Sequence, residues 1–274
     1  MTHRPRYGGY VLCATSRSGS TLLCRLLSAT KVAGRPASYL HNPSVANWAA
    51  YIDLPWPETT PNRADMERLF HAIQTAGRGP TPVFGLRLMR KSFDFLMTRL
   101  TELRPDLKTD RAHLEATFGD LLYIHLRRDD KLAQAVSLVR AQQSGLWHQL
   151  ADGRALEQKA PAASPGYDAA AILRHLDTLE RDDMAWRDWF EDQGIAPLRL
   201  SYEQVAQDPA KAVHAILDTL YETRPDIAPP EPDVAKLADA ETLRWFERFA
   251  LDHPDRAISA KPGSIRDRGR DVSK

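Results

Sequence analysis

The sequence lacks most of what would tie it to an oxidising compartment, a membrane or a polyanion. It has two cysteines, Cys13 and Cys24, with neither metal-ligand nor redox-motif spacing and with apolar neighbours, so both read as buried thiols of a reducing compartment. No secretory core follows a basic start, and no apolar run approaches membrane-spanning length, so a cytoplasmic protein without a transmembrane segment is expected. Neither sign of charge dominates. Lys and Arg total 37 against 36 Asp and Glu, a formal net charge of +1, so no bulk field draws the chain to nucleic acid and any anion site must be local. Internal repeats and low-complexity tracts are absent as well. What is present is ordinary for a globular protein: 274 residues, 43% hydrophobic and 27% charged, enough for one large α/β domain over 1–274 with a substantial core.

Tyr10–Ala14 (YVLCA) is a strand-like apolar run, and Thr21–Ala29 (TLLCRLLSA) places Leu22, Leu23, Leu26 and Leu27 on one helical face. The same order recurs at Asp120–Leu126 (DLLYIHL), too apolar to have a solvent face, which leads into a predicted helix from Lys131 to Gln143. Val83–Met89 and Pro197–Leu200 are two further strand candidates. Continuous apolar strands followed by amphipathic helices predict a doubly wound parallel sheet with helices on both faces. The longest helix is predicted from Ala169 to Gln193, with Ile172, Leu176, Leu179, Trp186, Trp189 and Phe190 in period and Gly194 as its stop. Residues 42–78 and 145–166 mix prolines with aromatics and show no clean period. They read as excursions over the sheet edge on the acceptor side, and the polar tail 261–274 as a loose end.

Chemistry first shows at Ser16-Arg17-Ser18-Gly19-Ser20-Thr21, between a strand and a helix N-terminus. Backbone N–H groups at the helix start, a glycine turn, several hydroxyls and the Arg17 charge together make a nest for a phosphate or sulfate. The loop differs from a nucleoside-triphosphate P-loop, because Ser20 stands where the lysine belongs and only one glycine is present. The alternative is a Ser-rich turn capping a helix, which needs one hydroxyl and no arginine. A second anion site is indicated by Arg128 at the end of the buried strand with Ser137 in the following helix, since strand ends at the switch point of a parallel sheet are where ligands sit. Taken alone, Arg128 equally suits an ion pair with Asp129 or Asp130, and Ser137 a small packing role.

The stretches SRSGSTLL (Ser16–Leu23), VAGRP (Val32–Pro36), FGLRLM (Phe84–Met89), HLRRDDKLAQAVSLVRAQQSGLWH (His125–His148) and WRDWFEDQGIAPLRLSYEQVAQDP (Trp186–Pro209) resemble the Stf0-type bacterial sulfotransferases, which take in trehalose 2-sulfotransferase and relatives grouped with nodulation and lipopolysaccharide sulfotransferases. The resemblance implies a P-loop-like α/β fold and 3′-phosphoadenosine 5′-phosphosulfate as donor, with no metal. Ser16, Arg17, Ser18, Gly19, Ser20 and Thr21 would hold the 5′-phosphosulfate, Arg128 and Ser137 the 3′-phosphate. The acceptor would be a hydroxyl of a carbohydrate, glycolipid or other small metabolite. A homodimer is implied by the resemblance alone.

One family feature is missing. The glutamate that serves there as general base falls on Ser38 in the register of VAGRPASYL, with Arg35 where another acid can occur. A serine cannot act as a carboxylate at neutral pH, and His41 is the replacement we expect, with Asp53 and Glu58 as other carboxylates nearby. Trp48, Tyr51 and Trp56 offer flat faces to a sugar or plugs to the core. Arg87 interrupts an apolar strand and faces either the ligands or solvent, while His125 reads as an interior histidine and Glu203 as the start of a helix. Two rival functions stay open at this level: a non-catalytic binder of the donor or its product, and a nucleotide or small-molecule kinase, against which the missing lysine counts.

Overall fold

The predicted order of strand then helix is the order observed. The computed structural model describes residues 3–150, 152–158, 164–228, 230–233 and 240–259. In chain order the elements are β1 (Gly9–Ala14), α1 (Ser20–Ala29), α2 (Val45–Tyr51), α3 (Arg63–Arg78), β2 (Phe84–Met89), α4 (Arg90–Leu103), α5 (Asp110–Phe118), β3 (Leu121–Arg127), α6 (Lys131–Ser144), β4 (Leu146–Gln149), β5 (Ala155–Gln158), α7 (Ala169–Asp192), β6 (Leu198–Ser201), α8 (Tyr202–Gln207), α9 (Pro209–Leu220), α10 (Ala240–Asp252) and α11 (Pro254–Ser259). They fall into two compact units, one of residues up to Arg127 together with Arg181–Asp233, the other of Arg128–Glu180 with the described residues from Ala240 onward. No helix among the described residues is long and apolar enough to cross a membrane.

The first unit is built on a parallel sheet in the order β2-β1-β3-β6. Side chains alternate across it, so β1 sends Val11 and Cys13 into one apolar layer and Tyr10 and Leu12 into the other. The Val11 layer is aromatic, with Trp48, Phe70, Phe84, Phe118, Trp186 and Phe190 all buried. The Tyr10 layer is aliphatic and is closed by α1 and α9 through Leu23, Leu26, Leu27, Val213, Ile216 and Leu217. Both faces are therefore covered, as the unbroken apolar runs of β1 and β3 required. Trp186 Nε1 donates to Ala14 O at 3.1 Å and so fixes the carboxyl end of β1 from the α7 side.

In the second unit Leu132, Val136 and Val139 of α6 pack with Ile172, Leu176 and Leu179 of α7 and with Trp245 and Phe249 of α10. Asp168 caps α7 by accepting from Ala171 N at 2.8 Å. The remainder of α7, from Arg181, belongs to the first unit and supplies its Trp186, Trp189 and Phe190.

Residues 42–78, expected as an excursion and without a clean period in sequence, contain the helices α2 and α3. Most of that stretch is helical, because the prolines all lie ahead of α3 and a reciprocal cap between Asn62 and Asp65 starts it cleanly, while Leu69, Phe70 and Ile73 supply a buried face. Residues 145–166 contain the antiparallel β4–β5 ribbon, turned at Gly153 with φ +86°; residues 151 and 159–163 of that stretch, and the tail 261–274, lie outside the described residues.

The segment after α1 is bolted to the sheet. Ala33 O accepts from Tyr10 Oη at 2.8 Å, Val32 O from Tyr221 Oη at 2.7 Å, and Arg35 N donates to Gly77 O at 2.7 Å. Gly34 makes the approach possible: its φ is +72°, and a Cβ there would lie 2.6 Å from Val83 O and 2.7 Å from Gly77 O. Gly194 has φ +60° with nothing within 4 Å of its missing Cβ. Gly194→Ala is therefore expected to cost about 1 kcal/mol for the left-handed backbone alone, and Gly34→Ala about 2–4 kcal/mol because two backbone carbonyls must also move. Urea denaturation of both variants checks this, and equal midpoints would refute the steric part.

Candidate functional site

The loop between β1 and α1 is shaped by backbone conformations that its residue types alone do not require. Arg17 has φ +63° and Gly19 φ +80°, so a non-glycine residue sits in the left-handed region two positions before the helix cap. Such a residue costs of order 1–2 kcal/mol and points to a functional constraint. Gly19 is irreplaceable on a second count, because a Cβ on it would meet the Tyr202 ring at 2.4 Å. Gly19 caps α1 with no side-chain hydrogen bond, unlike α2, α3 and α5, which are capped by Ser44, Asn62 and Thr109. The N-cap position is thus a glycine and not one of the loop's serines. Next to the cap, Ser18 is fully buried and its Oγ has no hydrogen-bond partner among the described residues. A buried hydroxyl left unpaired costs about 1–3 kcal/mol. An anion oxygen at the helix start would satisfy it.

Ser16 through Thr21 are thus brought together in the first unit, at the carboxyl end of β1, whose Ala14 is level with Leu126 of β3. Arg128 and Ser137 belong to the second unit, where Arg128 directly follows the last residue of β3 and Ser137 is half-buried on α6. That helix is capped by Asp130, which accepts from Ala133 N at 2.8 Å.

Ser38, the residue in place of the family acid, is buried. Its hydroxyl accepts from Arg87 Nε at 2.6 Å, and Arg87 Nη1 donates to Thr21 Oγ1 at 2.6 Å. The alternatives for Arg87 are therefore resolved inward: it links the anion loop to the Ser38 segment. His41 follows one turn on, with its N–H donating to Ser38 O at 3.1 Å and its carbonyl accepting from Ser92 Oγ at 2.9 Å, so its backbone is fixed from both sides. Asp53 and Glu58 are both exposed. Trp48 is a plug, buried and bonded through Nε1 to Asn42 O, whereas Tyr51 is 56% exposed with its ring edge-on to Tyr39.

Burial pushes the Cys24 thiol up to about 11, against the opposing pull of Arg87, and pushes Cys13 well above the usual thiol range. Neither cysteine supplies a thiolate nucleophile. His125 is 1% exposed, with Nε2 3.3 Å from Asp183 Oδ1 and Nδ1 3.4 Å from Arg199 Nη1, which fits an interior histidine. Glu203 lies in the first turn of α8, which Ser201 caps. Among the described residues no group of three or more His, Cys, Asp or Glu is placed to hold a metal. A groove of about 430 Å³ along α4 contains none of the loop residues, and its Asp94, Glu102 and Asp110 carry the wrong sign for an anionic ligand.

Sequence reasoning left the direction of Arg87 open and missed the contact of Tyr202 with Gly19. For Arg87 the signal was an arginine inside an otherwise apolar strand. For Tyr202 no local signal existed, because the contact joins residues far apart in the chain.

Comparison with known proteins gives the family of the chain. The trehalose 2-sulfotransferase of Mycobacterium tuberculosis (strain ATCC 35801 / TMC 107 / Erdman) is 30% identical over 263 residues, covering 89% of this chain and 95% of that protein. The protein of the same name from Mycolicibacterium smegmatis is 31% identical over 261 residues, covering 89% and 94%. A sulfotransferase of solved structure from Alicyclobacillus acidocaldarius covers 94% of this chain and 96% of its own with a TM-score of 0.42 at 13% identity. The profile described as Stf0 sulphotransferase matches residues 9–252, a span that takes in the loop, Ser38, Arg87, Arg128 and Ser137, and the chain belongs to that family.

Proposed function

We propose that this sulfotransferase takes its sulfonate from 3′-phosphoadenosine 5′-phosphosulfate and passes it to a hydroxyl of a carbohydrate. The observation that carries the donor is the buried, unpaired Ser18 hydroxyl beside a helix start with no side-chain cap, since both call for an anion at that point. Ser20 in the lysine position of a triphosphate loop favours an anion other than a γ-phosphate with its magnesium. The two relatives named trehalose 2-sulfotransferase support a sugar acceptor.

The donor supplies a sulfonate on a good leaving group: the bond from sulfur to the 5′-phosphate oxygen breaks as a bond to the acceptor oxygen forms. Arg17 and the residues opening α1, from Ser18 to Thr21, would receive the charge that gathers on the departing phosphate, by analogy with phosphoryl transfer. Ser16 would complete the loop, while Arg128 and Ser137 would hold the 3′-phosphate and so set the nucleotide's orientation. His41 would take the acceptor proton; its pinned backbone is what supports it over the exposed Asp53 and Glu58.

Incubation with radiolabelled donor and a panel of carbohydrates that includes trehalose tests the activity. Tight nucleotide binding with no transfer to any acceptor would mean a non-catalytic binder instead. Arg128→Ala is expected to weaken the 3′,5′-bisphosphate product about 10- to 100-fold in calorimetry and its 3′-dephospho form far less; equal weakening would remove Arg128 from the 3′-phosphate. Arg17→Ala should lower kcat by a larger factor than it lowers product affinity, because its contact strengthens as charge moves to the phosphate. His41→Ala is expected to lower kcat/KM by roughly 10²- to 10⁴-fold and to abolish the acid limb of its pH profile. An unchanged profile would show that another group takes the proton.

A further inference from the structure

We infer that Arg87 is a catalytic residue, a fixed cation that meets the transferred sulfonate at the Thr21 hydroxyl. The inference rests on the proposed donor and goes beyond it by naming a residue outside the anion loop.

Arg87 lies two residues before the end of β2, paired in register with Leu12, whose side chain faces the α1 layer. That register turns Arg87 toward α1 and away from the aromatic layer that holds Phe84, Leu86 and Leu88. The guanidinium is half-buried, and no carboxylate pairs with it among the described residues; Arg90 and Arg111, by contrast, each pair with an acid on their own helix. Its observed partners are two neutral hydroxyls, Ser38 Oγ and Thr21 Oγ1, each at 2.6 Å. A partly desolvated cation without a counter-ion is costly, and a structure that holds one rigidly has a use for an anion there.

The position of Thr21 says which anion. In triphosphate loops the hydroxyl at this position meets the magnesium that bridges the terminal phosphates. Here a guanidinium Nη1 occupies the hydroxyl's acceptor side, so a permanent side-chain charge stands where those proteins place a metal. The planar fork of Arg87 matches a pair of sulfonate oxygens. The charge reaches into the α1 layer, since it opposes the upward push of burial on Cys24.

The position is not left to the side chain. Arg87 N donates to Ala37 O at 3.1 Å, and Ala37 bridges to Leu86, so the strand edge itself carries Ser38 to the guanidinium. During transfer Arg87 neither gives nor takes a proton. The electron pair of the breaking bond goes to the 5′-phosphate oxygen and the acceptor proton to the base, while the cation stabilises the sulfonate oxygens between them.

Calorimetric titration of the phosphosulfate donor and of its 3′,5′-bisphosphate product, on wild type, Arg87→Met and Arg87→Lys, tests this. These nucleotides differ only in the sulfonate. Arg87→Met is expected to weaken the donor about 10- to 100-fold and the product less than about threefold, with kcat for sulfonate transfer down about 10²- to 10³-fold. Arg87→Lys keeps the charge without the fork, and should retain most of the preference for donor over product even if the methionine variant fails to fold. Equal losses for both nucleotides in Arg87→Met, no loss in that variant, or a donor preference lost in Arg87→Lys would overturn the role while leaving the donor assignment intact. A wild-type protein that binds neither nucleotide would overturn the donor assignment and this role together.

Discussion

The structure turns on positive charge and polar hydrogens gathered where β1 gives way to α1. Ser18 is buried with its hydroxyl unpaired, Arg17 is held in a backbone conformation unfavourable to it, and Arg87 is joined to two neutral oxygens in place of a carboxylate. Each of these raises the energy of the unliganded protein. On the proposed reading a single anion seated at the helix start would pair with the Ser18 hydroxyl and face the Arg87 charge, while the Arg17 backbone strain is the standing cost of the loop's shape. The aromatic layer and the Trp186 bond to Ala14 bear the cost by fixing the end of the strand from which the loop departs.

The same logic separates the loop from the acceptor side. On the proposed reading the loop residues would act through backbone direction and fixed charge, which a sulfonate requires and a sugar does not. The segment running past Ser38 to His41 would act through side chains on a backbone held by hydrogen bonds to Ala37, Ser38 and His41. Arg87 ties one to the other, which gives the donor and acceptor halves a common reference point in the sheet.

Much of the first unit was legible from sequence because its strands are buried on both faces and so appear as unbroken apolar runs, as in Tyr10–Ala14 and Leu121–Leu126. The loop was legible because glycine and hydroxyl residues between a strand and a helix have few other uses. The α3 helix was hidden by the prolines ahead of it, although Asn62 with Asp65 is a start signal that the pattern contained. Contacts between distant segments, Tyr202 on Gly19 and Arg87 on Ser38, left no local trace, since they depend on which strands neighbour one another and sequence periodicity does not encode strand order.

The bolting of residues 32–35 reaches beyond stability. Tyr10, Tyr221 and Gly77 hold that segment by its main-chain atoms, and Gly34 fits because it has no side chain. Nothing in that attachment depends on what residue stands at 35, 38 or 41. Natural selection can therefore vary the side chain at 41 without disturbing the scaffold, whereas a change at Ser38 also reaches Arg87 and the loop beyond it.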